Sequence, residues 1–493
     1  MLITLKPAPT LTPEALHEAA FSHKTSVAFS PDALAAIERS TTALQAALER
    51  GEPVYGITTG FGPLVRFDTS NNDAQGIGLI RHLGAGFGEA LPQAVVRSAM
   101  LLRLHTVAQG HSGISREAAQ WYKELLADVL QSRITPYVPA VGSLGASGDL
   151  IPLAHVLQAL PEAHQRSLSG RDALALVNGT SFSTAFAALA LVRAERMIAR
   201  LEDLTAWILG LWQCRQTSLH PRLHAAKGHA GQEASARRIT EELSKYAVAE
   251  DETRPLQEIY SLRCAPQILG AVRDVMRSAR EMIQQEMNGI DDNPFIDGMP
   301  FNTRNDGTSR ELTVLHGGNF MTQHIAFAAD MLNNALTQAG NLAERHIFAL
   351  TNPETSHAPL LLAFHPGRSS GMAGVQLTAT ALVAEMRANA RNYASSSLPT
   401  NAGNQDIVPM GFQAAQTLYA QTERLAGILT CELLCCTQLA FLIQEGLAQG
   451  KYFPPPEALK EAASLIEPVR EDRALFSEIT ALASWFLGEN SMK

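Results

Sequence analysis

The most reactive arrangement in the sequence is a tight loop between Pro139 and Pro152 that contains Ala146, Ser147 and Gly148. A glycine at position 148 lets its backbone nitrogen come close to the carbonyl carbon of Ala146. Attack of that nitrogen, with loss of water that includes the Ser147 hydroxyl, would leave an exocyclic methylene on an imidazolone ring. The alternative is an ordinary glycine-rich turn or a phosphate-binding loop, but neither GxGxxG nor GxxxxGK[ST] is present.

Three further side chains have types suited to chemistry on a small polar molecule. Tyr55 lies in a glycine-rich loop, and a phenol acts as a base only where positive charge or hydrogen bonds lower its pKa. The planar fork of Arg263 matches a carboxylate with two hydrogen bonds. Asn178 offers an amide before Gly179. Each also has a structural interpretation: a packed loop aromatic, a solvated surface charge and a helix cap, respectively.

The elements that must position these residues are mainly α-helical. Leu191, Ala194, Ile198, Leu201, Leu204 and Ile208 recur at helical spacing, with charged residues between them. Similar patterns predict long helices over 265–288, 312–350, 371–393 and 410–448, and alternating β-branched runs are scarce. The fold class is therefore a large bundle of long helices with a loop-rich N-terminal part that carries the Ala146 loop.

Domain boundaries are less distinct than the helices. Glycine and proline concentrate at 51–63, 136–152, 291–300 and 395–411, and chemistry is expected in these loops. There is no internal repeat and no clear linker. We expect one integrated unit with approximate parts at 1–180 (the tyrosine loop and the Ala-Ser-Gly loop), 181–450 (the helix bundle) and 451–493 (C-terminal helices).

Composition restricts the class of protein and its partners. The 493 residues include 39 Lys and Arg against 48 Asp and Glu, and no basic run occurs, so a nucleic-acid surface is not expected. The N-terminus does not read as a signal peptide, and no uninterrupted stretch of 18 apolar residues predicts a membrane span. Five cysteines suit reduced thiols in the cytoplasm. Cys431, Cys435 and Cys436 are interpreted as buried thiols rather than metal ligands.

The segment GSLGASGDLIPLAH at 142–155 resembles the signature of the ammonia-lyases and aminomutases that carry 4-methylideneimidazole-5-one (MIO). This is the family of histidine, phenylalanine and tyrosine ammonia-lyases. VYGITTGFG at 54–62 and QEIYSLRCAPQ at 257–267 resemble two more of its motifs, although Glu258 and Ile259 replace a commoner Asp-Pro pair. Further matches lie at 292–294, 318–320 and 401–406, so the likeness extends from residue 55 to about 411.

The resemblance implies a role for each matched residue. MIO would form autocatalytically from Ala146, Ser147 and Gly148, and no metal is implied. Tyr55 would remove the β-proton of an amino-acid substrate, and Tyr260 would assist proton movement at the amine. The residues expected to bind the substrate's carboxylate, amine or ring are Asn178, Arg263, Phe320, Asn404 and Gln405. Met321 and Thr322 depart from the family pattern, in which a glycine commonly stands at the position of Thr322.

The substrate is read from the pair His82-Leu83. This pair resembles the tyrosine-selective members, whereas Phe-Leu is typical of phenylalanine enzymes and Ser-His of histidine enzymes. A neutral imidazole can exchange a hydrogen bond with a para-hydroxyl group. We therefore expect L-tyrosine to be converted to trans-4-coumarate and ammonia, with phenylalanine, histidine or a modified aromatic amino acid as alternatives.

The sequence leaves two alternatives to an ammonia-lyase open. The same motifs occur in MIO-dependent 2,3-aminomutases, and the lid expected at 220–224 would decide between the two reactions. A protein of another class, a non-catalytic helical scaffold, would lack the chromophore. The resemblance also implies a homotetramer with shared active sites, in which we expect Tyr55 to act beside the ring of a neighbouring subunit.

Overall fold

The computed structural model describes residues 1–7, 11–69, 74–246, 248–302 and 311–488. It is mainly helical, which confirms the predicted fold class. The helices in chain order are α1 (Pro13–Phe21), α2 (Pro31–Glu49), α3 (Gln75–His82), α4 (Gln93–Ala108), α5 (Arg116–Leu130), α6 (Leu150–Leu157), α7 (Glu162–Ser167), α8 (Gly170–Val177), α9 (Ser181–Leu211), α10 (Pro221–Ala225), α11 (Ala230–Ser244), α12 (Tyr260–Arg263), α13 (Ala265–Asn288), α14 (Gln323–Thr351), α15 (Pro353–Ser356), α16 (Ala373–Asn389), α17 (Gly411–Gln444), α18 (Lys460–Ser464) and α19 (Phe476–Leu487).

The described strands form three two-stranded sheets. The parallel pair is β1 (Leu2–Leu5) with β2 (Ser26–Phe29), in which Leu2 is opposite Ser26. The antiparallel pairs are β3 (Phe87–Ala90) with β4 (Pro139–Val141), and β5 (Phe295–Asn302) with β6 (Glu311–Leu315). The β3–β4 and β5–β6 pairs join chain segments that lead into the loops of interest.

The predicted long helices are found with small changes at their ends. The pattern at 191–208 lies within α9, and the pattern at 265–288 matches α13. The prediction of a helix from residue 312 was wrong, because 311–315 form a strand and α14 begins only at Gln323. The β-branched Thr313 and Val314 favour a strand, and Gly317-Gly318 favours a break before the helix.

The described chain divides into two compact units, each built from three segments. The first contains 1–189, 280–330 and 392–416, and the second contains 190–279, 331–391 and 417–493. The parts predicted at 1–180, 181–450 and 451–493 follow chain order, whereas these units follow packing, so that division stays a prediction. Residues 489–493 of the predicted C-terminal part lie outside the described residues.

Two helical stretches are long and apolar enough to cross a membrane, at 170–211 and at Gly411–Gln444. Their most apolar windows are 100% and 83% buried inside the protein, which is typical of core helices. All five cysteines are free thiols, and Cys431, Cys435 and Cys436 are buried, as predicted. Among the residues with described positions, no group of three or more His, Cys, Asp or Glu is placed to hold a metal ion.

Two small apolar clusters in the first unit hold its loops. Val54, next to Tyr55, packs with Leu44 of α2 and with Ile296 and Val314 of the β5–β6 pair. Ala146 packs with Val408 and Met410 in the segment before α17. Both loops are therefore attached to the first unit through apolar side chains.

A buried charge network lies under the same loops. Arg103 of α4 is fully buried, and its two terminal nitrogens each lie 3.2 Å from a carboxylate oxygen, of Asp291 and Asp292 respectively. Arg171 of α8 lies 3.8 Å from Asp292. Burial raises the pKa of Asp292, and the positive charges of Arg103 and Arg171 oppose that rise. Arg103 also donates to the Asn178 carbonyl, so the network reaches the candidate site.

Arg103→Leu should destabilise the protein strongly, because Asp291 and Asp292 would lose their buried counter-charge. The expected loss in free energy of unfolding is about 3–5 kcal/mol. Denaturant melts can be compared with Arg133→Leu, which removes an exposed guanidinium paired with Asp128 and should cost about 0–1 kcal/mol. Equal losses in the two variants would contradict the assignment of Arg103 as a structural charge.

Candidate active site

The loop containing Ala146, Ser147 and Gly148 makes a close contact with the turn that follows α8. Gly148 has a left-handed φ of 72°, and a Cβ atom added there would overlap the Gly179 carbonyl oxygen. The next backbone N–H, of Asp149, donates to that same oxygen at 2.7 Å. Only glycine satisfies both the φ and the contact at position 148. The backbone therefore fits the tight turn that cyclisation needs.

Asp149 fixes the end of this loop from inside the protein. Its fully buried carboxylate accepts hydrogen bonds from Ser143 Oγ (2.7 Å), Ser183 N (2.7 Å) and Ser183 Oγ (2.9 Å). Burial raises the pKa of this carboxyl to about 6, although these hydrogen bonds lower it. The loop is thus attached at its end to α6 and α9.

Ser147 itself is contacted by two predicted site residues. Gln405 Nε2 donates to Ser147 Oγ at 2.5 Å, and Asn178 Nδ2 donates to the Ser147 carbonyl at 2.9 Å. Asn178 is the C-cap of α8 and also accepts the backbone N–H of Asn293 at 3.0 Å. Asn178 is therefore both a helix cap and a neighbour of Ser147, so one interpretation does not exclude the other. The residues around Ser147 fit a group formed from 146–148, because the carbonyl oxygen that the group would keep accepts from Asn178, and the hydroxyl that it would lose accepts from Gln405.

Tyr55 is oriented by contacts at both its backbone and its side chain. The backbone N–H donates to His316 Nε2 at 3.1 Å, and the phenol oxygen accepts the N–H of Gly62 at 2.7 Å. Burial raises the pKa of the Tyr55 phenol, and the Gly62 hydrogen bond acts in the opposite direction. A hydrogen bond donated to the oxygen favours the phenolate.

The loops enclose a cavity of about 820 Å³ in the first unit. The predicted site residues that line it are Tyr55, His82, Leu83, Ala146, Ser147, Gly148, Asn178, Phe320, Asn404 and Gln405. Tyr55 and Ser147 of one chain line the same cavity, and the expectation that Tyr55 acts beside the ring of a neighbouring subunit stays a prediction. Residues of α3 and of the 401–405 turn, which are far apart in sequence, thus line one cavity.

His82 lies at the last turn of α3, where its ring has a defined tautomer. Its Nδ1 is 3.1 Å from the carbonyl oxygen of Gly78, one turn earlier. A carbonyl oxygen only accepts, so Nδ1 carries the proton and donates. In the neutral ring, Nε2 is then an acceptor, and His82 is one of the residues that line the cavity.

Tyr260 and Arg263 are not among the described residues that line this cavity. They belong to α12 in the second unit, where Tyr260 is 70% exposed. The Arg263 guanidinium carbon lies 4.6 Å from the centre of the Tyr260 ring. Among the described residues, Arg263 has no carboxylate partner, and its buried Nε has no hydrogen bond. The second unit thus presents a cation and a phenol together.

Thr322, which departs from the family pattern, has a clear structural role. It is fully buried, and both its N–H (3.1 Å) and its Oγ1 (3.0 Å) donate to the Gly145 carbonyl. A Cβ atom added at Gly145 or Gly411 would overlap Thr322 Oγ1. Thr322 therefore occupies space left by two glycines and holds the residue before Ala146.

Part of the apolar wall of the cavity was not predicted from the sequence. Leu79, Ile151 and Leu174 line it but were not predicted. Leu79 is one turn before His82 and Leu83, so helical spacing was a usable signal. No comparable signal marked Leu174, since its place depends on how α8 packs beside α3.

Comparisons with known proteins identify the family. The sequence model of the family described as "Aromatic amino acid lyase" matches residues 11–166 and 161–464. A histidine ammonia-lyase from Geobacillus thermodenitrificans is 33% identical over 487 residues, covering 93% of this chain and 92% of that protein.

Solved structures show the same fold. The tyrosine aminomutase from Streptomyces globisporus has a TM-score of 0.83 at 30% identity, with 99% of this chain and 97% of that chain covered. The Pantoea agglomerans phenylalanine aminomutase has a TM-score of 0.85 at 27% identity, with 99% of each chain covered. Fold and sequence together define a carbon–nitrogen lyase. The chain belongs to the aromatic amino acid lyase family.

Gly148→Ala should prevent formation of any ring from residues 146–148, because the methyl group would meet the Gly179 carbonyl and φ is left-handed. The purified variant should retain the full mass of the unmodified chain, without the loss of two waters, and should lack chromophore absorption. Gly318→Ala is the matched control, since a Cβ there meets nothing within 4 Å. A chromophore in Gly148→Ala would show that this close contact is not required.

Proposed function

We propose that this protein eliminates ammonia from an aromatic L-amino acid, with L-tyrosine as the preferred substrate and trans-4-coumarate as the product. The observation that carries the proposal is the contact of Gln405 and Asn178 with Ser147 inside a cavity that also contains Tyr55. Family membership supports the class of reaction, while the substrate and residue roles rest on the arguments below.

The proposed chemistry divides the work among named side chains. An MIO group formed autocatalytically from Ala146, Ser147 and Gly148 would supply an electrophile for the substrate amine. Tyr55 removes the β-proton, and its Gly62 hydrogen bond stabilises the phenolate that this step requires. Asn404 and Gln405 hold the amine, and Phe320 lines the ring pocket. These groups act mainly through orientation and electrostatic stabilisation.

The preference for tyrosine is supported by the tautomer of His82. Because Nδ1–H donates to Gly78, Nε2 can accept a hydrogen bond from a phenol hydroxyl. A bound phenylalanine would leave Nε2 of His82 without a hydrogen-bond donor, against the apolar edge of its ring. Phenylalanine should therefore be a poorer substrate than tyrosine. Leu83 beside it supplies apolar contact for the ring.

Histidine is the second candidate substrate, because a relative with 33% identity is named a histidine ammonia-lyase. An imidazole N–H could also donate to His82 Nε2. An aminomutase reaction is a further alternative, since two of the similar solved structures are aminomutases. It would return the amine to the β-carbon.

We further propose a cytoplasmic homotetramer in which Tyr260 and Arg263 complete the site of another subunit. Their separation from the cavity lining and the exposure of Tyr260 support this assignment. An unpaired guanidinium suits the substrate carboxylate, and with Asn178 it would fix the backbone of the substrate. Tyr260 would assist proton movement at the amine.

The first test compares L-tyrosine, L-phenylalanine and L-histidine at equal concentration, with arylacrylate followed spectroscopically and ammonia assayed in parallel. Coumarate with matching ammonia, and much weaker formation of cinnamate or urocanate, is the expected result. Tyrosine consumption without ammonia would establish an aminomutase, and preferred urocanate formation would establish a histidine enzyme. If wild-type protein with an intact chromophore turns over none of the three, the proposed function is wrong.

His82→Phe should shift the preference from tyrosine towards phenylalanine, with the chromophore unchanged as control.

Tyr55→Phe should lower kcat/KM by about 10²–10⁴-fold, because the general base is lost, and should leave the chromophore intact. Burial raises the pKa of Tyr55, so the active phenolate is a minor form at neutral pH. In wild type, kcat/KM should therefore rise with pH by up to about tenfold per unit below that pKa. The substrate ammonium must also lose a proton before the amine can attack, so the slope of Tyr55→Phe should be smaller than that of wild type but not zero. A variant with wild-type kcat/KM would exclude Tyr55 as the base.

A further inference from the structure

A buried histidine–glutamate pair lies directly behind the short helix α12. His346 of α14 and Glu432 of α17 are both fully buried, and Nδ1 of the histidine is 2.7 Å from Oε1 of the glutamate. The other ring nitrogen, Nε2, is 2.8 Å from the carbonyl oxygen of Ser261. Ser261 stands between Tyr260 and Arg263 in α12.

The proton positions follow from the partners. The Ser261 carbonyl can only accept, so Nε2 carries a proton and donates. One further proton lies between Nδ1 and Glu432, either on the imidazole, giving an ion pair, or on the carboxyl, giving a neutral pair. In both arrangements the Nε2–H remains directed at Ser261. The pair therefore works as a fixed donor.

Ser261 needs such a donor because of its position. Carbonyl groups in the last turn of a helix have no partner within it, and α12 has a single turn. The preceding chain is attached separately, since Arg254, which is paired with Glu258, also donates to the Thr355 carbonyl at 3.3 Å. The hydrogen bond from His346 to Ser261 therefore acts on α12 itself, together with the buried side chain of Leu262, and both polar contacts lie within the second unit.

We propose that His346 and Glu432 are positioning residues that set the orientation of Tyr260 and Arg263 through the Ser261 carbonyl. The inference rests on the proposed function for its catalytic consequence, because Arg263 is there the clamp for the substrate carboxylate. A small rotation of a single helical turn would move the guanidinium away from the substrate carboxylate that it is proposed to bind. Such misplacement reduces binding and rate without touching the reacting atoms.

The test compares two variants that both avoid an unpaired buried charge. In Glu432→Gln, the amide can donate to Nδ1, so Nε2–H still donates to Ser261. In the double variant His346→Leu/Glu432→Leu, both polar partners are removed together, which spares the fold but deletes the donor. Chromophore absorption and the melting temperature report whether each tetramer has folded.

Inhibition is measured with trans-4-coumarate and with 4-vinylphenol, which lacks the carboxylate. The difference between the two reports how well Arg263 binds the carboxylate. The double variant should bind coumarate about tenfold more weakly than Glu432→Gln, as expected for one weakened charge-assisted hydrogen bond. Vinylphenol inhibition should be equal in the two variants. Equal coumarate inhibition, or parallel loss for both inhibitors, would overturn the proposal.

Amide hydrogen exchange separates this inference from the proposed function. The peptide covering 257–264 should exchange faster in the double variant than in Glu432→Gln, and peptides of the 142–155 loop should not change. This readout needs no turnover. If wild type lacks lyase activity, the proposed function fails, but hydrogen exchange still tests whether His346 and Glu432 position α12. Unchanged exchange at 257–264 would overturn that positioning role whatever the activity.

Discussion

The close approach of two backbone turns, at Gly148 and Gly179, is the constraint on which the candidate site depends. The contact leaves no room for a side chain at Gly148 and directs the Asp149 N–H onto the Gly179 carbonyl. Arg103 holds the same turn through the Asn178 carbonyl and is itself neutralised by Asp291 and Asp292. A buried charge network thus supports a loop whose central residue, Ser147, is small and uncharged.

The two units contribute different chemistry. The first unit contains the loop, the phenol of Tyr55 and the amides around Ser147, all of which lie at one cavity. The second unit presents Tyr260 and Arg263 on a single helical turn, with the Ser261 carbonyl held by His346. Hydrogen bonds therefore support both sets of side chains, and the Arg263 guanidinium has no carboxylate partner among the described residues.

Much of the helical scaffold was predictable from the sequence, because the pattern of apolar residues repeats over many turns. α13 was predicted within its observed ends, and α9 and α17 were predicted over most of their length. The start of α14 was predicted wrongly, since Thr313, Val314 and a glycine pair override a broadly apolar composition. Strand-favouring and helix-favouring residues stand close together just before α14, so the pattern of apolar residues alone does not show where that helix begins.

The amino-acid sequence alone determined which residues could do chemistry: the Ala-Ser-Gly loop, Tyr55, Arg263 and the amides of Asn178 and Gln405 stand in recognisable local motifs. It also determined the family. Only the tertiary structure decided that Tyr55 shares a cavity with Ser147 of its own chain, that Nε2 of His82 is the free acceptor, and that Tyr260 and Arg263 belong elsewhere. The physical reason is that a motif specifies backbone and side chains over a few residues, whereas these relations depend on contacts between segments hundreds of residues apart.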